Sequence, residues 1–371
     1  MPNTYADKLS QLPEMQALRQ QRTQETLSAA FAAVTSRIDD VPLPASGNSL
    51  ARWRFFHAVA ATDLVLAKIV EPHWDAQAIL SELCPSGSQE SASLASGLAC
   101  FGAVGMPKSA KTPQDAQGSR WAVWAAEPPD AKVTGQVDAS GNLVLNGTKA
   151  WCSGAALVTH ALITYWDASS NANLAAIDLS SPGVSVTNRG WHAVGMDASA
   201  SVDVGLTNVV ATPVGAAGAY LNRPGFWHGG MGVAACWLGG AYALATAARV
   251  QAARRQDPHA LAHIGAMDVA LAQAHGLMRS TAAWVDAHPA ADSQWPAFRL
   301  RAAAEQCAAE IVRMSGRAMG AGPLCRDDHV ARLYADLPIF IRQSHAEKDL
   351  AALGQALVSA TTDARVDPWT L

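Results

Sequence analysis

The sequence is short of charge, short of cysteine and empty of the common catalytic signatures, and each shortage removes a class of function. Asp, Glu, Lys and Arg make up only 16% of the 371 residues, and the formal net charge is −4. No basic field is available to attract nucleic acid or an anionic membrane surface. The 6 cysteines stand far apart, at 84, 100, 152, 236, 307 and 325, with no C-x-x-C pair. Neither a zinc site nor a redox dithiol is indicated; the cysteines read as small core hydrophobes of a cytoplasmic protein. The opening MPNTYADKLSQLPEM has no apolar run of the secretory type, and no window looks apolar for long enough to cross a bilayer. There is no G-x-x-x-x-G-K-[ST], no G-x-G-x-x-G after a strand, no H-E-x-x-H and no G-x-S-x-G. Phosphate-loop, dinucleotide-fold, zinc-protease and hydrolase readings lose most of their support.

What is present is apolar. Half of the residues are hydrophobic, enough for a large core, and a chain of this length exceeds one ordinary core, so two or three packed units are expected. The apolar period changes twice. Residues 1–117 read mostly as helix: MQALRQQRTQETLSAAFAAVTSRI and RWRFFHAVAATDLVLAKIV repeat at three and four residues, with a Pro42, Pro44, Gly47 loop between them. Across 118–215 the period falls to two, in short runs such as WAVWAAE, VTGQVD and ALVTHALITYW, which predict an antiparallel sandwich or barrel. Residues 216–371 return to helix, beginning with GMGVAACWLGGAYALATAARVQAARR, apolar nearly all round and therefore buried. The order predicts an α+β fold in three units.

Within the β stretch, LVLNGTKAWCSGAA is singular. Asn146-Gly147 is a strong hairpin signal. Trp151 and Ser153 stand two apart, so a strand would point both to one side. His345 and Asp349 are spaced to share a helix face as metal ligands, against a helix start with Ser344 capping and Glu347 at the capping-box position. His73 and Asp75 in EPHWD pose the same choice, and a loop or helix-end pair is the better reading. No metal is expected.

LVLNGTKAWCSGAALVTHALI resembles the middle β domain of the acyl-CoA dehydrogenase family, where a strand pair of the form L-N-G-x-K-x-W-[IC]-[TS]-[NG]-A runs under the flavin. Other matches follow in order: WAAEPP at the T-E-P segment, GMDASASVDVGLTNVVAT, MGAGPL at the G-G-x-G segment, and ARLYADLPIFIRQSH. The similarity covers nearly the whole chain. It implies an N-terminal helical domain, a β-barrel or sandwich domain and a C-terminal four-helix bundle. It also implies FAD, an indole from Trp151 on the ring, a Ser153 hydroxyl near N5, and a homodimer or homotetramer. The implied activity is oxidation of an acyl-CoA or analogue by α-proton removal and hydride transfer.

The sequence leaves that pattern at several points. The T-E-P threonine falls on Ala126, followed by Glu127-Pro128. The R-x-x-F-G motif that reaches a neighbour's flavin pyrophosphate is not recognisable, and the Gln before G-G-x-G falls near Gly316, beside Arg317 and ahead of Gly320. The usual catalytic Glu falls on Ser344, and its alternative near Gly229-Gly230, so neither position holds an acid. His345 and His228 stand close by in sequence and are the candidate bases. Arg342 and Gln343 are candidates for the flavin, and Arg223 and Trp227 for the substrate. Two other readings stay open: a monooxygenase of the same fold, and a binding or assembly protein that has lost the flavin.

Overall fold

The computed structural model describes residues 4–84, 118–255 and 257–361. Helices α1 (Tyr5–Ser10), α2 (Pro13–Gln20), α3 (Gln24–Arg37), α4 (Ser49–Thr62) and α5 (Leu64–Leu83) come first. Both long helical stretches of the sequence are broken once, at a residue whose side chain caps the next helix. Thr23 accepts from Thr26 N and starts α3; Asp63 accepts from Leu66 N and starts α5. His73 and Asp75 lie inside α5 rather than at a loop or helix end, because the helix runs through Pro72.

Seven strands follow: β1 (Trp121–Trp124), β2 (Val133–Val137), β3 (Leu143–Cys152), β4 (His160–Trp166), β5 (Ala172–Asp178), β6 (Val184–Val186) and β7 (Val202–Pro213). They pair in the order β1-β4-β2-β3-β7-β5, and β4 also pairs with β5. That pairing closes β4-β2-β3-β7-β5 into a ring, a barrel to which β1 is added on β4 and β6 on β7. The expected all-antiparallel arrangement does not hold, since β4 runs parallel to β1 and to the start of β2. Asn146-Gly147 is not a hairpin either. It sits within β3 at a slip of register against β7, where Gly147 has φ +127° and comes too close to the Lys132 carbonyl for any Cβ. The β2–β3 turn is Asp138 to Asn142, with Asp138 Oδ1 accepting from Ser140 N and Asn142 N.

The chain ends in helices Gly225–Arg255, Pro258–Ala287, Gln294–Met319, Asp328–Phe340 and Glu347–Thr361, with short ones at Ala219–Asn222 and Ala321–Arg326. Contrary to the sequence expectation, one stretch, Gly225–Arg254, is long and apolar enough to cross a membrane; 72% of its most apolar window is buried inside the fold. Gly239 lies too close to the His57 carbonyl of α4 to carry a side chain, so this helix packs at backbone distance. Cys152, Cys236 and Cys307 are buried as expected; Cys325 is exposed, and Cys100 lies outside the described residues.

Three contacts seat the barrel on the helices. The Trp121 N–H donates to His73 Nδ1 at 3.1 Å. The Met196 N–H donates to Asp336 Oδ1 at 2.5 Å. At Gly154 a Cβ would stand 3.1 Å from Ile69, which brings the turn after β3 onto α5.

Candidate functional site

The end of β3 is built to hold one aromatic side chain out of the core. Lys149 is buried and donates to Glu127 Oε1 at 2.5 Å and to Thr164 Oγ1 at 2.6 Å. Register with β7 then slips again between Lys149 and Cys152. Trp151 takes φ +57°, left-handed and costly for a bulky residue. The kink breaks the strand alternation, so Trp151 and Ser153 do not share a side. The indole is 55% exposed, whereas Ser153 is buried. The Ser153 hydroxyl pairs with Ser201 Oγ at 2.8 Å, which in turn pairs with Ser199 Oγ at 2.9 Å.

Glu127 is engaged by the barrel itself. Besides Lys149 it accepts from Thr164 Oγ1, and from Trp166 Nε1 at 3.0 Å. Its carboxyl is held below the usual range: these donors outweigh the opposing effect of partial burial. Ala126, next to it, offers no polar side chain.

One turn of α5 gathers the other elements. Ile69 touches the turn after Trp151, and Lys68 Nζ donates to Gln343 Oε1 at 3.0 Å. Arg301 donates to the Gly230 carbonyl at 2.8 Å and to the Gln343 carbonyl at 3.1 Å, and lies over the Trp237 ring. The β3 turn, α5, the start of the Gly225–Arg255 helix and the 341–345 turn thus converge. Trp151 and Gln343 belong to this convergence, and Gly229-Gly230 lie on its wall. Ser344 is buried beside them, with its Oγ accepting from Ala346 N at 3.0 Å.

The other expected site residues are arranged differently. His345 projects into solvent, its Nδ1 3.3 Å from Asp349 Oδ1. Asp349 rather than Glu347 reaches back to the His345 N–H. Arg342 is exposed and pairs with Glu305. Arg317 and Gly320 are exposed at the end of the Gln294–Met319 helix. Arg223 pairs with Glu82 at 2.7 Å. His228 is buried with Nε2 3.1 Å from Ser293 Oγ, and burial lowers its pKa. Trp227 packs edge-on against Phe226 and Phe298. Sequence reasoning missed Lys68, Glu71 and Arg301. The signal for the first two was a Lys and a Glu set inside the apolar run LVLAKIVEPHW.

A flavin fits this arrangement at its ring end. An indole face held free of the core is a stacking platform for a flat ring, and Lys68 and Gln343 offer polar atoms on the neighbouring elements. The R-x-x-F-G residues for an adenosine diphosphate arm are not there.

No family model matches the sequence, and no curated protein matches it. Solved structures do match. KijD3 in complex with FMN and dTDP-3-amino-2,3,6-trideoxy-4-keto-3-methyl-D-glucose is 18% identical, with a TM-score of 0.75 over 98% of this chain and 94% of that one. FMN-bound TdsC from Paenibacillus sp. A11-2 is 16% identical, with a TM-score of 0.74 over 94% and 95%. Methanesulfinate monooxygenase MsuC from Pseudomonas fluorescens is 19% identical, with a TM-score of 0.72 over 95% and 96%. This chain has their fold. It is α+β, as expected from the order of helical and strand periods.

Proposed function

We propose that the chain is a flavin-dependent oxidoreductase of the monooxygenase kind, acting on a small organic substrate. The observation that carries this is Trp151, an indole held out of the core in a left-handed conformation, just before the turn that packs on α5. Two further points favour oxygen chemistry over thioester dehydrogenation. Ser344 and Gly229-Gly230 leave both acid positions of the dehydrogenases empty. TdsC is described as a dibenzothiophene monooxygenase and MsuC as a methanesulfinate monooxygenase. FMN is the preferred flavin, with FAD the expectation from sequence, because the adenosine-binding motif is missing and KijD3 and TdsC were crystallised with FMN.

A bound flavin supplies the redox chemistry. The chain's part is to hold the ring against Trp151, to fix the 341–345 turn through Lys68 and Arg301, and to exclude water. The division into 1–117, 118–215 and 216–371 belongs to this reading. So does self-association as a homodimer or homotetramer, supported by exposed Val250, Leu261 and Val269 on two long helices.

Absorption spectra after gel filtration with FMN, and separately with FAD, test the proposal. Bands should stay with the protein and vanish in Trp151→Ala, which should fold normally. Bands that survive in the variant refute the placement. Bleaching of bound flavin by an acyl-CoA under anaerobic conditions would instead favour the dehydrogenase reading, with His345 or His228 as base. No binding of either flavin would favour a non-catalytic binding or assembly protein, since the Ser153, Glu127 and Arg342 groups are already engaged within the chain.

A further inference from the structure

Three acids on α5 lie in register with three glycines on the antiparallel Gly225–Arg255 helix. Glu82 meets Gly225, Asp75 meets Gly229, and Glu71 meets Gly232. A Cβ at Gly229 would stand 2.6 Å from Asp75 Oδ1, and one at Gly232 3.6 Å from Glu71 Oε1; one at Gly225 would collide with Glu82. Positions 71, 75 and 82 share one face of α5, and 225, 229 and 232 share one face of the long helix. At Gly225 and Gly229 the missing side chains make room for the carboxyls, and at Gly232 the nearer neighbour is the Phe56 ring.

The row has an outer end, a middle and an inner end. Glu82 lines a cavity of about 380 Å³ together with Ser81, Pro224, Gly225 and His228. Asp75 Oδ1 is buried with no hydrogen-bond partner among the described residues. Glu71 is 8% exposed, and its carboxyl takes no hydrogen bond from the described residues. An unpartnered buried oxygen such as Asp75 Oδ1 is where ordered water is expected. Pro72 has no N–H, so the Lys68 carbonyl beside Glu71 loses its helical donor and adds another acceptor. One turn beyond Glu71, Lys68 holds Gln343.

We propose that Glu82, Asp75 and Glu71 form a proton path from the cavity at Glu82 to the 341–345 turn, with Glu71 as its inner, proton-holding group. Its use in catalysis rests on the flavin reading above; the protonation of Glu71 does not. Asp75 and Glu71 are about 6 Å apart as an i, i+4 pair, a span that one water bridges. Glu82 and Asp75 are about 10 Å apart along the axis, which takes a short water chain. Each passage moves one proton. The Glu71 O–H bond breaks toward the 341–345 turn and re-forms with a proton relayed through Asp75 from solvent, so no electrons change hands. This path would bring to the site an acid that neither Ser344 nor Gly229-Gly230 provides.

The groups facing Glu71 come from every element packed on it: Lys68 and Asp75 on α5, Arg52 on α4, Cys236 on the long helix, Arg301 on the Gln294–Met319 helix, and Tyr220. Burial first, then the like charge of Asp75, push the Glu71 carboxyl up to about 8, against the pull of Lys68, Arg52 and Arg301. A carboxyl raised in the fold keeps its proton there and loses it on unfolding. Its stabilising effect is therefore full below the ordinary carboxylate range and is lost as pH rises toward about 8.

Thermal and denaturant unfolding of the whole chain across this range, with and without Glu71→Gln, tests the proton holder. The parent should carry a component worth about tenfold in the folding constant per pH unit, and Glu71→Gln should lack it. Should that variant fail to fold, Asp75→Asn must keep the component but end it at lower pH, because the like charge is gone. A slope that persists in Glu71→Gln, or one whose upper end does not move in Asp75→Asn, overturns the proposal. In the flavin-loaded protein, air reoxidation of dithionite-reduced flavin should slow at least tenfold in Asp75→Asn and recover with added imidazole. An unchanged rate overturns the path. Failure to bind flavin would sink the flavin reading alone, and the stability slope would still decide Glu71.

Discussion

Arg22→Met should remove the cation from a buried contact that ties three parts of the fold together. Arg22 NH1 lies 3.2 Å from Asp63 Oδ2 and 2.6 Å from Asp336 Oδ2, and the three side chains are 8%, 3% and 2% exposed. Asp63 caps α5, and Asp336 anchors the barrel through the Met196 N–H. Without Arg22 two carboxylates face each other in a space closed to solvent. Breaking a buried pair in this way costs about 3–5 kcal/mol, against about 1 kcal/mol or less for an exposed pair. In a chain this long, about 2 °C per kcal/mol puts the fall in Tm at about 6–10 °C. Burial already pushes Asp63 up against the pull of Arg22, and removing Arg22 raises it further. The variant's folded state then takes up protons that its unfolded state does not, so its deficit should shrink as pH falls from 7.5 toward 4.5. Denaturant titration of parent and variant at those two pH values measures both quantities. A loss below about 1 kcal/mol, or one that does not change with pH, would refute the reasoning.

Other outcomes follow from single positions. Gly147→Ala must adopt φ +127° against the Lys132 carbonyl, and should cost at least about 2 kcal/mol. Gly265→Ala, in the Pro258–Ala287 helix with open space around it, should gain up to about 1 kcal/mol; denaturant midpoints of the two should move in opposite directions. Burial lowers His329 to about 4, helped by Arg19 and Arg332. It stays neutral in the fold and takes a proton on unfolding, so it weakens the protein as pH drops below about 6.5. His329→Gln should lose less stability than the parent between pH 6.5 and 4.5, and an equal loss in Tm would count against this.

The strands and helices were legible because their apolar periods differ, and the period changes near 118 and again after 215. The helix breaks were harder to read. Thr23 and Asp63 look like ordinary polar residues in amphipathic runs, and their capping roles depend on where the flanking helices pack. Asn146-Gly147 misled because a local turn preference is weak beside a strand already paired on both edges, to β2 and to β7. There the glycine relieves a clash instead of reversing the chain.

The candidate site divides in the same way. The family resemblance singled out Trp151, because that motif is contiguous and its strand is continuous. Lys68, Glu71 and Arg301 come from α5 and from a helix over 200 residues later, so no local pattern could join them. The sequence by itself determined which segments are helix and strand, and that one indole stands at the end of a strand. Only the tertiary structure decided that the indole is exposed, that the barrel closes, and that three carboxyls lie against three glycines. Secondary structure follows from local period and backbone preference. Exposure, ring closure and the pairing of acids with glycines depend on which helix packs against which, and on what each burial does to a charge.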